Sequence, residues 1–118
     1  MNRLKAEMAK LQAYWDESED LLFIFGPGGQ IVKVSASVQG VLGYTPEYLE
    51  GRSYLEFIHP NDVAPTGLSV LAHTSDGHRV ITVRNRYRTK DGHYVWIVWY
   101  TIKSGHRYHA VARYVSPA

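Results

Sequence analysis

Residues 79–115 leave this chain few folds to choose from, because they read as three consecutive strands joined by tight turns. Arg79 to Thr89 alternates with period two: Ile81, Val83, Asn85 and Tyr87 share one face, and Thr82, Arg84, Arg86 and Arg88 the other. Lys90-Asp91-Gly92 is a hairpin turn, since Asp-Gly readily adopts the positive φ angles that a two-residue loop needs. His93 to Lys103 resumes as strand with both faces largely apolar: Tyr94, Trp96, Val98, Tyr100 and Ile102 on one, Val95, Ile97 and Trp99 on the other. Ser104-Gly105 then turns the chain into a last strand, Arg107 to Val115. A strand apolar on both sides needs cover on both sides. That predicts a central strand with helices on one face and a second surface, an N-terminal helix or a second subunit, on the other.

The upstream half supplies two more strands and the helices. Leu21 to Phe25 stops at Gly26-Pro27-Gly28-Gly29, and Gln30 to Val34 resumes a β-rich pattern, which reads as a second hairpin. Ser35 and Ser37 are expected to cap a short helix ending near Gly43. A further helical turn opens with Thr45 at the N-cap, Pro46 at the first helical position and Glu47 at the positive end of the dipole, and Gly51 closes it. From Ser53 to Gly77 the pattern is helical but broken. Pro60 and Pro65 argue against one continuous helix, and Leu68, Leu71 and Ala72 mark the apolar face of a short final one. Residues 3–18 form an amphipathic helix whose stripe, Leu4, Met8, Leu11 and Trp15, is spaced four, three and four apart. The resulting fold class is α+β: a five-stranded antiparallel sheet with short helices on one face, plus the N-terminal amphipathic helix. Residues 1–20 are expected to serve dimerisation or linkage, and 21–116 to form the domain proper.

Composition removes several function classes. The 118 residues suit one domain, and 45% hydrophobic content is enough for a modest core. The absence of cysteine excludes disulfides, thiolate metal sites and cysteine nucleophiles. Acids and bases are interleaved around a net charge of +2, so no basic footprint for nucleic acid is legible. The start of the chain lacks the apolar run of a signal peptide, and the longest apolar stretches, Leu21 to Phe25 and Tyr94 to Ile102, fall short of a membrane span. The expectation is a soluble cytoplasmic domain without membrane insertion. No nucleophile, base and orienting acid are arranged for catalysis, so the chain is read as a regulatory domain, not an enzyme.

Three segments carry a family resemblance. Val34-Ser35-Ala36-Ser37, followed by Val41-Leu42-Gly43-Tyr44-Thr45-Pro46-Glu47-Tyr48-Leu49-Glu50-Gly51-Arg52-Ser53, is the first. Ile58-His59-Pro60-Asn61-Asp62 is the second, and Arg88-Thr89-Lys90-Asp91-Gly92-His93-Tyr94-Val95-Trp96 the third. In order and spacing they resemble the PAS family's Gly-Tyr-Thr-Pro-Glu helix, its His-Pro-x-Asp helix entry and its Lys-Asp-Gly-x-x-x-Trp hairpin. The resemblance covers residues 21–115. Two positions depart from the pattern: Gly26 stands where the first hairpin often carries Asp, and Tyr114-Val115-Ser116 where the last strand commonly ends in Asp-Ile-Thr.

The resemblance implies a sensory module. Its helices and inner sheet face enclose a pocket, and the state of the pocket or of a dimer is relayed to an effector in cis such as a two-component histidine kinase. Asn85 is the most informative candidate, an amide on an otherwise apolar strand face. It is either a polar handle for a ligand or an amide satisfied by backbone or water. With it we place Val83, Tyr87, Phe57, Leu71 and His73 around the pocket. Leu4, Met8, Leu11 and Trp15, with Trp99, are assigned to a homodimer interface. Some relatives hold haem through a histidine near the long helix, where His73 falls, and others hold flavin. The expectation here is no resident cofactor, and flavin photochemistry through a cysteine is excluded. His59 reads as a helix cap. His106 and His109, three apart on a strand, face opposite ways, which suits no metal. Arg84, Arg86 and Arg88 read as a solvated row, with phosphate or an acidic partner as the functional alternative. A second reading of the whole stays open: a ligandless interaction scaffold whose interior is filled by Phe23, Phe25, Phe57 and Tyr87.

Overall fold

The computed structural model describes residues 2–75 and 80–118, with side chains outside 68–79. Helix α1 (Asn2–Glu17) leads into strands β1 (Leu21–Phe25) and β2 (Ile31–Val34). Helices α2 (Val38–Leu42) and α3 (Pro46–Leu49), a single 3-10 turn (Tyr54–Glu56) and helix α4 (Pro60–Ser75) follow. Strands β3 (Val80–Arg88), β4 (Tyr94–Ser104) and β5 (Arg107–Pro117) complete the chain. The five strands form one antiparallel sheet in the order β2-β1-β5-β4-β3. The first strand therefore lies between the second and the last, and the two hairpins read from the sequence are joined through β1 and β5.

The period-two pattern sorts the sheet faces as expected. Ile81, Val83, Asn85 and Tyr87 of β3 are buried, and they meet Val95, Ile97 and Trp99 of β4 across the ladder. Leu21 and Phe23 of β1, Ile31 of β2, Val38 and Leu42 of α2, Leu49 of α3 and Phe57 close the core over this face. Gly43 takes φ +88°, a left-handed helix stop where a side chain is strained, and donates its N–H to the Gln39 carbonyl. Thr45 caps α3 as predicted, its Oγ1 accepting from the Tyr48 N–H at 3.2 Å.

Three local expectations are corrected. Ser35 and Ser37 do not cap α2. The Ser35 hydroxyl accepts from the Leu22 N–H, its Oγ lies 2.6 Å from that of Ser37, and Ser37 donates to the Asp20 carbonyl, so the pair latches the helix entry to β1. Pro60 marks the break expected after the 3-10 turn, but Pro65 makes no second one, because α4 runs unbroken from Pro60 to Ser75 with Pro65 inside it. Pro60 occupies a first-turn position whose N–H has no helical partner in any case, and Pro65 removes one ladder bond close to the start. His59 caps this end, its Nδ1 accepting from the Asn61 N–H at 3.1 Å. Finally, α1 does not fold back to cover the outer face of β4; none of its residues is buried. That face is shielded instead by arginine stems. The Arg84 and Arg86 guanidinium groups lie 4.9 and 5.2 Å from the centre of the Trp96 ring. Tyr100 and Ile102 stay exposed. Among the described residues no helix is long and apolar enough to cross a membrane.

Candidate functional site

Two features of the backbone set up a cavity between the inner sheet face and the segment from the 3-10 turn to α4. Residues 57–59 pair with the free edge of β3: the Arg88 N–H donates to the Phe57 carbonyl and the His59 N–H to the Arg86 carbonyl. This fixes where α4 starts. At the other end, the Gly26 N–H donates to the Gln30 carbonyl at 2.8 Å and the Gly29 N–H to the Gly26 carbonyl at 3.0 Å, folding the glycine loop over the mouth. Gly29 has φ +84°, and a Cβ there would stand 2.5 Å from the Tyr54 ring, so this position accepts only glycine. The cavity, open on one side, has a volume of about 320 Å³, at the lower end of small-molecule sites. Phe25 and the 26–29 loop form one wall, Tyr54, Leu55, Ile58 and Thr66 a second, and Val83, Asn85, Tyr87, Trp99, Thr101 and Tyr108 the floor.

The floor carries a side-chain network. The Trp99 indole, a pure donor, gives Nε1–H to Asn85 Oδ1 at 2.8 Å, which fixes the amide orientation. Asn85 Nδ2 then donates to Thr66 Oγ1 at 3.3 Å, linking β3 to α4. Asn85 is therefore satisfied by side chains, not by backbone. One Nδ2 hydrogen and the Thr66 hydroxyl proton are left over after these two bonds.

Tyr87 is the unusual member. Its ring is 1% exposed, stacked on Phe57 at 5.7 Å and tilted against Trp99 at 5.4 Å. Among the described residues its hydroxyl has no hydrogen-bond partner. Burial pushes the phenol far above its ordinary range, so it remains a neutral donor at any physiological pH. An unmade bond of this kind costs about 1–3 kcal/mol.

Among the described residues charge is confined to the outside of the cavity. Asp62 Oδ2 accepts from the Arg86 N–H at 2.7 Å and from Nε at 2.9 Å, and Oδ1 accepts from Nη2 at 2.7 Å. The Arg86 side-chain hydrogen bonds hold the Asp62 carboxyl below its ordinary value. This pair ties α4 to the edge of β3, so Arg86 does not belong to a free phosphate-binding row. Among the described residues no charged side chain lines the cavity, and none offers haem a histidine or methionine ligand. No described cluster of acids and histidines is built to hold a metal.

Of the residues singled out in the sequence, Val83, Asn85 and Tyr87 come together on the floor. Phe57 stands behind Tyr87, one layer away from the cavity. Leu71 and His73 lie on α4, with side chains outside the described residues. Trp99, assigned to a dimer interface, is 5% exposed and belongs to the cavity floor, because it shares the inward face with Val95 and Ile97. Leu4, Met8 and Leu11 are exposed along α1, and Trp15 is half-buried with Lys33 Nζ 4.7 Å from its ring centre. Sequence reasoning missed the 26–29 loop, Tyr54, Thr66 and Tyr108. The four-residue Gly/Pro run carried a signal, since a hairpin needs only two such residues.

Residues 31–115 match the sequence model of the PAS fold family. No curated protein matches the chain. Among solved structures, the chain is similar to a PAS domain from Colwellia psychrerythraea, with a TM-score of 0.81 and 17% identity over 92% of this chain and 97% of that one. It is also similar to a domain of a sensory box sensor histidine kinase/response regulator from Geobacter sulfurreducens (TM-score 0.75, 15% identity, 93% and 96% covered). A third likeness is to the PAS domain of the quorum-sensing receptor RpfR from Cronobacter turicensis, solved in complex with BDSF (TM-score 0.71, 13% identity, 86% and 98% covered).

Proposed function

Because the chain belongs to the PAS family, we propose that it is a sensory module that binds a small molecule in the β3–α4 cavity and relays occupancy to an effector in cis. The observation that carries this reading is the cavity itself, about 320 Å³ walled by apolar rings with a few convergent polar groups. A scaffold filled by its own side chains fits the packing less well. Within the core Phe57 stacks on Tyr87 and Phe23 meets it edge-on, and Phe25 forms a wall without filling the space. The receptor solved with BDSF supports a ligand in this fold, and the histidine kinase domain supports a kinase-type effector.

The relay is proposed to run through residues 1–20, as a homodimer of 21–116 domains joined by α1. Leu4, Met8, Leu11 and Trp15 repeat as a and d positions of a coiled coil, a seam complementary to a second copy of itself. Native mass spectrometry of the full chain beside Val83→Phe, which fills the floor, tests the ligand reading. The wild type should carry a retained or added small molecule that Val83→Phe lacks. Equal occupancy in both, or none in the wild type, overturns it.

A further inference from the structure

Resting on the reading of the cavity as a ligand pocket, we propose that its occupant is an uncharged, mainly apolar molecule presenting one hydrogen-bond acceptor to Tyr87. The lining decides the charge. A buried ion needs a counter-ion or several aimed dipoles, and the described walls offer neither a cation nor an anion. The hydrogen-bond inventory decides the polarity. Asn85 Oδ1 already accepts from Trp99, and Thr66 Oγ1 already accepts from Asn85. Among the described residues the floor keeps donors unspent by these two bonds, the second Nδ2 hydrogen of Asn85, the Thr66 hydroxyl and the Tyr87 hydroxyl, beside the Tyr54, Thr101 and Tyr108 hydroxyls, which can donate or accept. Only the Tyr87 hydroxyl, among the described residues, is buried without a partner. A carbonyl, ring nitrogen or ether oxygen on the ligand supplies the bond that the protein leaves unmade. The rings of Phe25, Tyr54, Trp99 and Tyr108 take up the rest of its surface.

Three molecules of one size separate these statements: 2-acetylnaphthalene (neutral, one acceptor), 2-ethylnaphthalene (neutral, no acceptor) and 2-naphthoate (charged). Dissociation constants for the full chain come from equilibrium dialysis. The ketone should bind about tenfold tighter than the hydrocarbon and than the carboxylate, a gap of one hydrogen bond or one unpaired charge. Tyr87→Phe removes a hydroxyl with no partner, so the fold tolerates it. It should bring the ketone to within about threefold of the hydrocarbon while leaving hydrocarbon binding unchanged. Naphthoate binding as tightly as the ketone, or a ketone preference that survives in Tyr87→Phe, overturns the ligand class and leaves the pocket reading intact. Failure of all three probes to bind overturns both.

Discussion

Helices α1 and α4 are each sixteen residues long, yet α4 is hydrogen-bonded to the sheet while α1 meets it through Trp15 against Lys33 and has no buried residue. In α4 the ties are polar: the bond from the His59 N–H to the Arg86 carbonyl, the Asp62–Arg86 pair and the Thr66–Asn85 bond hold it against β3. In α1 the apolar stripe is the more regular of the two, but Leu4, Met8 and Leu11 are 58%, 60% and 69% exposed. A lone helix of this length is marginal in water. The comparison teaches that a stripe shows a helix wants a partner, whereas specific polar contacts determine which surface it meets. The α4 partner is the chain's own sheet, and the proposed α1 partner is a second copy.

The comparison breaks first at α1. The double variant Leu11→Asp, Trp15→Asp puts charges into the seam and should weaken dimerisation by roughly a hundredfold or more. Analytical ultracentrifugation should then show monomer with unchanged unfolding of the 21–116 domain. Dimer mass persisting at the same concentration assigns the interface elsewhere. The next effect belongs to α4. Asp62→Ala should cost about 1–3 kcal/mol in urea unfolding, the value of charge-assisted bonds in a partly buried pair.

The same pair sets a pH dependence. Folding lowers the Asp62 value through its Arg86 bonds, so as pH falls the unfolded chain takes up the proton first. The pair's stabilisation is complete above the ordinary carboxylate range and fades below about pH 4, down through the lowered folded value. Asp62→Asn should flatten that part of the acid limb, and an unchanged slope would remove Asp62 from the account. At the cavity floor, Tyr87→Phe should stabilise the ligand-free protein by about 1 kcal/mol by deleting an unpartnered hydroxyl. A loss of stability would mean that this hydroxyl has a partner in solution. Smallest is Thr45→Ala, which removes the α3 cap and should cost about 0.5 kcal/mol.

The strand half of the fold was legible because side-chain alternation has a fixed period, and Val83, Asn85 and Tyr87 follow from it directly. Trp99 was misplaced for a reason of register. Its strand is apolar on both faces, and only its pairing with Val83 shows which face is inner. The continuity of α4 was hidden by Pro65, whose lost bond is offset by the flanking Thr66–Asn85 and Asp62–Arg86 bonds, between residues 19 and 24 positions apart. Sequence propensity carries no information on such partners. The glycine loop was legible as a turn. Its role as a wall depends on Tyr54 packing beneath Gly29, a contact between segments that local pattern cannot supply.

The central claim is that a small molecule occupies the space beside Trp99. The most direct test is a titration of the ¹⁵N-labelled full chain with a set of neutral aromatic fragments, following the three tryptophan indole N–H signals. Trp99 donates to Asn85 at the cavity floor, whereas Trp96 lies on the outer face and Trp15 on α1. The account predicts that binding fragments move the Trp99 signal and leave Trp15 and Trp96 in place. A still Trp99 signal across the set, or shifts confined to Trp15 and Trp96, would contradict it.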